Sequence, residues 1–367
     1  MIDRRHWLAF GAAQALTVLA DPVWARTASP RTRLAAAWQT PGGAQVGVLD
    51  TSAQALRVAA AINVPSRAHG IVQEPGGTLL AVARRPGDWL MRWSTQGKQL
   101  ASIAAEPNRA FNGHVLCNAS GDTLFTTETD LDSGAGLIVV RDARTLARRA
   151  EWPTHGIDPH MLLWDVHAAP GTRLLVANGG IEIQPETGRM KLHLDRMDSS
   201  LVRLDARNGA LLGQWRVPDR RLSLRHLAWT GRGDSATLGI AMQAEHDDKA
   251  AQQAAPVLAV FADDQLRVAS LTRELAGYGG DIAATPSGWA LSCPRAQGVS
   301  MWRNDGEWLG FAPLAEACAL AVDPRDDSLW MGGSGKAAHA SESAAASASF
   351  AIAHSVRADN HWVRLQA

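Results

Sequence analysis

Tyrosine is almost missing from this chain and cysteine is scarce: 367 residues include one Tyr, three Cys and six Phe, against fourteen Trp. Cys117, Cys293 and Cys318 are odd in number and widely spaced, so at most one disulfide can form. Cys293 with Cys318 is the better-placed pair, while three buried thiols acting as small hydrophobes is the simpler reading. With no CxxC and no Cys/His finger spacing, a structural zinc site is disfavoured. Charge of either sign is also lacking in excess: 36 Lys+Arg face 36 Asp+Glu. That balance leaves no general polycationic surface for nucleic acid and no acidic solvating tail. Absent too are the G-x-S-x-G elbow, the P-loop, the GxGxxG fingerprint and HExxH, which removes the chemistries those motifs carry.

Long apolar runs are confined to the start. MIDRRHWLAFGAAQALTVLADPVWA pairs Arg4 with Arg5, follows them with an alanine-rich stretch at 9–20 too short to span a bilayer, and offers a cleavage site after Ala25. Residues 1–25 read as a twin-arginine export signal, with a Sec signal or a retained anchor as the alternatives. The expected mature chain, 26–367, is then a single periplasmic domain and a monomer, with no stable membrane insertion after signal removal.

What is present is repetition. Hairpin-like units such as VLDTSAQAL, RWSTQGKQL, VRDARTLAR, RLDARNGALL, VFADDQLRV and MWRNDGEWL place Asp/Asn/Ser/Gly turn residues between two β-rich runs. A second series, from EPGGTLLAVA to DPRDDSLWMGG, interleaves with it. Copies recur about every 40 to 65 residues, centred near 45, the period of a four-stranded propeller blade. The expected fold is all-β, a seven-bladed β-propeller with six units starting near Ala68, Gly113, Pro159, Arg225, Gly280 and Ala317. The strands at 32–64 lack an innermost partner, which HWVRL at 361–365 can supply, closing the ring. Two stretches break the period: an ordered-looking insertion at 179–201, and AAHASESAAASAS at 337–349, expected to be a flexible loop. Trp89, Trp93, Trp302, Trp308 and Trp330 fall on strands and are expected to pack between blades.

Blade phase then aligns residues that are far apart in sequence. His69 (RAHG), His114 (NGHV), His160 (DPHM) and His226 (LRHL) open the inner strands of four successive blades, and Asp281 (GGDI) takes that place in the fifth. The steps are about 45, 46, 66 and 55 residues. The ends of the second strands on the same face offer Arg84 and Arg85, Glu128 and Asp130, Asn178 and Gln243. His69, His114, Glu128, His160 and His226 are therefore candidate metal ligands, with Arg84, Asn178, Gln243 and Asp281 candidate cofactor contacts. Imidazole with carboxylate suits iron, copper, zinc or nickel, and a soft ligand such as Cys293 tilts the choice to copper. The structural alternative is that each histidine bonds a backbone carbonyl and anchors its own loop. A wide axial channel also holds ligands on different blades apart. His361 either reaches the channel face or caps the last strand. Asp158 is expected to hold a turn, Arg84 and Arg85 to bind an anion or to pair with Glu128, and His167, His193, His246, His339 and His354 to lie at the surface.

The succession AHG, ARRPG, NGHV, TTETDLDSGAGLI, HGIDPH, ANGGIEIQPETGRMKLHLDRMDSSLVRLD, LRHLAW and DNHW resembles the bacterial family called domain of unknown function 1513, over nearly the whole mature chain. That resemblance implies a twin-arginine-exported, seven-bladed periplasmic propeller. It also implies a link to iron-uptake gene clusters, with imelysin-like and di-haem peroxidase-like proteins as partners, and no established reaction. Carried over position by position, His69, His114, Glu128, His160, Asn178 and His226 stand at the family's motif positions. NGHVLC departs where a second glycine is more usual after the histidine, as does the Ala/Ser-rich stretch. The expectation is an accessory protein that binds a metal, iron or less readily copper, at one axial face. The alternatives are a metal-dependent oxidoreductase or lyase using Glu128 as base, and a docking scaffold built on blade edges and the insertion at 181–200.

Overall fold

The computed structural model describes residues 32–52, 54–183, 190–341, 348–352, 356–359 and 361–366, all within one compact unit, Thr32–Ala367. The expected signal at 1–25, the central part of the insertion at 184–189, the middle of the Ala/Ser-rich stretch at 342–347, and His354 lie outside the described residues. No helix among the described residues is long and apolar enough to cross a membrane.

Strands alternate with tight turns because the sequence places turn chemistry every few residues. In the first hairpin-rich unit the Ser94 amide donates to the Lys98 carbonyl across a turn in which Gly97 takes φ +80°, a conformation glycine adopts without penalty. Five antiparallel four-stranded sheets result. The first comprises Ala68–Gln73, Leu79–Ala83, Trp89–Trp93 and Gln99–Ala104, and the second Arg109–Cys117, Thr123–Asp130, Gly136–Asp142 and Arg148–Pro153. The third is Pro159–Trp164, Arg173–Asn178, Ser200–Asp205 and Leu211–Trp215, and the fourth Leu222–Thr230, Thr237–Ala244, Leu258–Ala262 and Gln265–Val268. The fifth is Ile282–Ala284, Gly288–Cys293, Gly298–Arg303 and Trp308–Pro313.

A nine-stranded sheet holds the rest. Ala319–Asp323, Ser328–Gly332, Lys336–Ala340 and Ala348–Ile352 continue, through a short parallel pairing of Ala351 and Ile352 with Ala55 and Leu56, into Ala55–Val64, Gly43–Ser52 and Arg33–Thr40. Val363–Arg364 pairs with Ala35 and Leu34 of that last strand. The Ala/Ser-rich stretch expected to be a loop is therefore strand at both described ends, because Ala337 and Phe350 bury against Trp330 and its neighbours.

Burial explains why the sheets stack in chain order. Leu80, Val82 and Leu90 of the first sheet pack on Phe111, Val115 and Leu124 of the second. Phe125, Ile138 and Val140 pack in turn on Leu162, Leu174 and Val176. The same pattern carries Leu175 and Leu201 onto Leu224 and Leu238, and Leu258 and Val260 onto Trp289 and Leu291. Each fully buried side chain of this kind contributes about 1.5–3 kcal/mol relative to exposure. The tryptophans fill the gaps between sheets: Trp93, Trp289 and Trp302 are fully buried, and Trp289 lies so close to Gly239 that any Cβ there would sit 2.6 Å from its ring. The three cysteines are free thiols, and burial pushes Cys293 and Cys318 each up to about 12.

Candidate functional site

The four phased histidines share a backbone device that the sequence hides. In each inner strand the pairing register shifts at the histidine: between Ala68 and Ile71, between Phe111 and Val115, between Pro159 and Leu162, and between Leu224 and Leu227. A β-bulge re-aims the side chains it contains. Here the bulges turn His69, His114, His160 and His226 inward, where all four are buried. Space is made by glycine: Gly113 has φ +98°, and a Cβ on it would lie 2.7 Å from the His69 ring.

His361, from the terminal stretch, completes a five-imidazole cluster. The Nε2 of His226 lies 2.9 Å from that of His160, 3.0 Å from that of His361 and 3.3 Å from that of His69; His69 and His160 are 3.2 Å apart. One ring nitrogen from each of His69, His114, His226 and His361 falls within 4.8 Å of the others. Four nitrogens bound to one ion at about 2.0–2.1 Å lie roughly 2.9–3.4 Å from their neighbours; the four contacts among His69, His160, His226 and His361 fall in that range, while His114 stands farther out, within 4.8 Å. Residues on different sheets thus converge, contrary to the expectation that a wide channel holds them apart.

The far sides of two rings are fixed. The Nδ1 of His226 donates to the Gly280 carbonyl at 2.7 Å, and the Nδ1 of His361 lies 2.8 Å from Asp281 Oδ1. Asp281 is itself held by the amides of Ile282 and Leu320, both at 2.9 Å. A carbonyl only accepts, so the proton of His226 sits on Nδ1 and its Nε2 presents a lone pair. Burial, reinforced by the neighbouring imidazoles, holds His69, His114, His160 and His226 well below their ordinary 6.5, which keeps them neutral. Neutral imidazole is the form that binds a metal.

Two cavities meet at the cluster. A channel of about 800 Å³ is lined by His114 and His361 together with Asp281, Trp229 and Trp362. A much smaller pocket is lined by His69, His160 and His226 with Arg84, Arg85, Arg225, Gln243 and Tyr278. Its cations are anchored by two carboxylates. Asp158 takes Arg85 on Oδ1 and Arg225 on Oδ2, the latter at 2.7 Å, while Asp359 takes Arg67 bidentately at 2.7 Å and Arg84 at 3.5 Å.

The candidates from sequence divide accordingly. His69, His114, His160 and His226 come together, and Arg84 and Gln243 line the small pocket. Asp281 orients His361 from behind. Glu128 lies apart from the cluster: it is buried against Arg141, which reaches its Oε1 from Nη2 at 2.7 Å and from Nε at 3.2 Å. The expected pairing of Arg84 and Arg85 with Glu128 is replaced by Asp359 and Asp158, because Arg141 on the adjacent strand takes Glu128 first. Asn178 stands apart too, its Nδ2 donating to the Thr154 carbonyl and the Ser200 hydroxyl. Cys293 sits in the apolar core with Ile282 and Leu291 and supplies no soft ligand. Among the histidines expected at the surface, His339 is half-buried and stacks on Trp330 at 4.3 Å. Sequence phase missed Arg225, although it immediately precedes His226, and saw Asp158 only as a turn residue.

Residues 62–365 match the model of the family described as "Protein of unknown function (DUF1513)". No curated protein matches the chain in sequence. Among solved structures, a hydrazine synthase from Kuenenia stuttgartiensis is similar at 13% identity and TM-score 0.58, over 79% of this chain and 89% of that one. A catalytically inactive virginiamycin B lyase from Staphylococcus aureus, solved with quinupristin, is similar at 8% identity and TM-score 0.54, over 81% and 92%. The Dos1 propeller is similar at 12% identity and TM-score 0.51, over 79% and 70%. At these identities the likeness is one of fold, a β-propeller.

Proposed function

The chain belongs to the DUF1513 family, and on that premise we propose that it is a metal-handling protein whose five-histidine cluster holds one transition-metal ion. The observation that carries this reading is the surroundings of His226 Nε2. That atom has a single lone pair, yet three imidazole nitrogens stand 2.9, 3.0 and 3.3 Å from it. A hydrogen bond satisfies one such contact and leaves the others facing each other; a cation at the centre engages every lone pair separately. The groups behind the rings support the same reading, since a carbonyl behind His226 and a carboxylate behind His361 are the partners that orient metal-ligating imidazoles. With nitrogen donors and no thiolate, the set suits Fe(II), Cu(II), Zn(II) or Ni(II).

The setting we propose is the periplasm, reached by twin-arginine export directed by residues 1–25, with a role in acquiring iron or, less readily, copper. Imelysin-like and di-haem peroxidase-like proteins are the proposed partners of a monomeric chain. We also propose that 26–367 form one closed, seven-bladed propeller. Supporting this, the nine-stranded sheet contains two four-stranded units' worth of strands, and Val363–Arg364 lies beside both Ala319–Asp323 and Ala68–Gln73. A second reading, a metal-dependent oxidoreductase or lyase, is favoured by the channel that reaches His114 and His361. With Glu128 held by Arg141, its proton transfers would fall to the imidazoles.

The test is metal analysis of full-length protein recovered from the periplasm, beside the His226→Ala and His361→Ala variants. About one equivalent of metal in the wild type and loss of it in both variants is expected. A wild type that carries none and takes up none on titration with Fe(II), Cu(II) or Zn(II) overturns the reading.

A further inference from the structure

Arg225 is the most buried cation of the site, its side chain about 1% exposed, and it is half used. Its Nη1 is held by Asp158 at 2.7 Å, while Nε and Nη2 have no hydrogen-bond partner among the described residues. Charged donors left unmet inside a protein lose their hydration with nothing in return, so such a pair marks a missing acceptor. The two atoms form the side-on edge of the guanidinium, whose parallel N–H groups match the two oxygens of a carboxylate.

The surroundings fit an anion. Arg225 lines the small pocket with Arg84 and Arg85, and the His69, His160 and His226 rings form its other wall. The Arg225–Asp158 pair is built in rather than incidental: Asp158 adopts φ +55°, and a Cβ on Gly179 would stand 2.5 Å from Asp158 Oδ2 and 2.6 Å from Arg225 Nη1. Glycine at 179 is what lets the pair close. Lys191, salt-bridged to Glu245, adds positive charge nearby: burial lowers its ammonium from the ordinary value, Glu245 opposes that, and Arg225 and Arg85 lower it further.

We propose that this pocket is a carboxylate-binding subsite, in which the Nε/Nη2 edge of Arg225 takes a ligand carboxylate bidentately beside the histidine cluster, with Arg84 as the supporting cation. The proposal deepens the metal reading, since a carboxylate bound there lies against the walls formed by three of the metal-ligating imidazoles. It stands on Arg225 rather than on the metal. With about 20 Å³ of free space, the pocket leaves room for no more than the carboxylate head of a small molecule. That head arrives either as a free carboxylate or as one arm of a metal chelate.

The experiment uses the full chain, metal-free and Cu(II)-loaded, and titrates ¹³C-formate by NMR, with bound copper measured on the same samples. Saturable formate binding in the millimolar range is expected in the metal-free wild type. Arg225→Lys keeps the charge but loses the fork, and should weaken binding about ten- to hundredfold. If that variant does not fold, Arg84→Gln is read in its place, with weakened formate binding expected. Citrate with and without Cu(II) separates the sources: citrate retained only together with copper marks a chelate arm, and citrate retained alone marks a free carboxylate, either supporting the subsite. Absence of saturable binding of formate and citrate, or undiminished binding in a folded variant, overturns the proposal. Copper uptake with neither formate nor citrate bound leaves the metal reading standing and removes the subsite; formate binding with no uptake of Fe(II), Cu(II) or Zn(II) does the reverse.

Discussion

His226 and His361 bring their Nε2 atoms to 3.0 Å although one ring is anchored by a backbone carbonyl and the other by a carboxylate, and the two lie 135 residues apart in the chain. Anchoring both rings from behind fixes where their nitrogens point, and that preorganisation is what a binding site requires before any ion arrives.

Asp281 is the lever on this geometry. Asp281→Asn preserves size but removes the charge behind His361, and should lower metal affinity about ten- to hundredfold. Competition against a chromophoric chelator measures it; unchanged affinity would mean that His361 is oriented by its backbone alone.

Glu128 provides a contrast. Its pair with Arg141 is buried on both sides, and burial raises the carboxyl from its ordinary value against the pull of Arg141 and Thr126. Glu128→Gln uncouples a buried ion pair and should cost roughly 3–5 kcal/mol of stability while leaving metal stoichiometry intact. Denaturant unfolding and metal analysis on the same preparation decide it, and loss of metal in a folded variant would restore Glu128 to the ligand set.

Gly113→Ala should damage the site and the fold together. The new methyl enters at positive φ and presses on His69, a strain of about 1–3 kcal/mol, with weaker metal binding beside it. Gly77→Ala is the control: φ is +84° but nothing lies within 4 Å, so stability should fall while affinity does not. Equal affinity losses in the two variants would show that the effect is general destabilisation.

Acid should loosen the terminal stretch that carries His361. Asp323 accepts from Arg325 and, at 2.8 Å, from Arg364, and these partners hold its carboxyl far below the ordinary 3.8. A depressed folded value means the ionised form is favoured in the folded state, so its contribution is complete above pH 3.8 and fades as pH falls below it. The slope from this one group is at most about 1.4 kcal/mol per pH unit. Unfolding midpoints of wild type and Asp323→Asn should therefore differ near neutrality and converge in acid; a constant gap would refute the linkage.

The repeat was legible because hairpin chemistry and strand alternation are local. Turn residues in VLDTSAQAL or RLDARNGALL act within a few positions, so the inner strands begin within a few residues of the expected unit starts. The Ala/Ser-rich stretch misled because its composition is that of a solvated loop, whereas Phe350 and Ala337 reach a core supplied by Trp330 and Trp38 from elsewhere in the chain.

Phase in the sequence was enough to group His69, His114, His160 and His226, since equivalent positions in a repeat share a face whatever the distance between copies. It could not supply the four bulges that turn those rings inward, nor decide for His361 between the channel face and a cap on the last strand, nor separate Glu128 from the cluster. Those outcomes depend on which partner lies across a strand or at the far end of the chain: Arg141 beside Glu128, Asp281 behind His361, Asp158 between Arg85 and Arg225. Local pattern determines which residues face the axis, and only the tertiary structure decides which of them find a competing partner first.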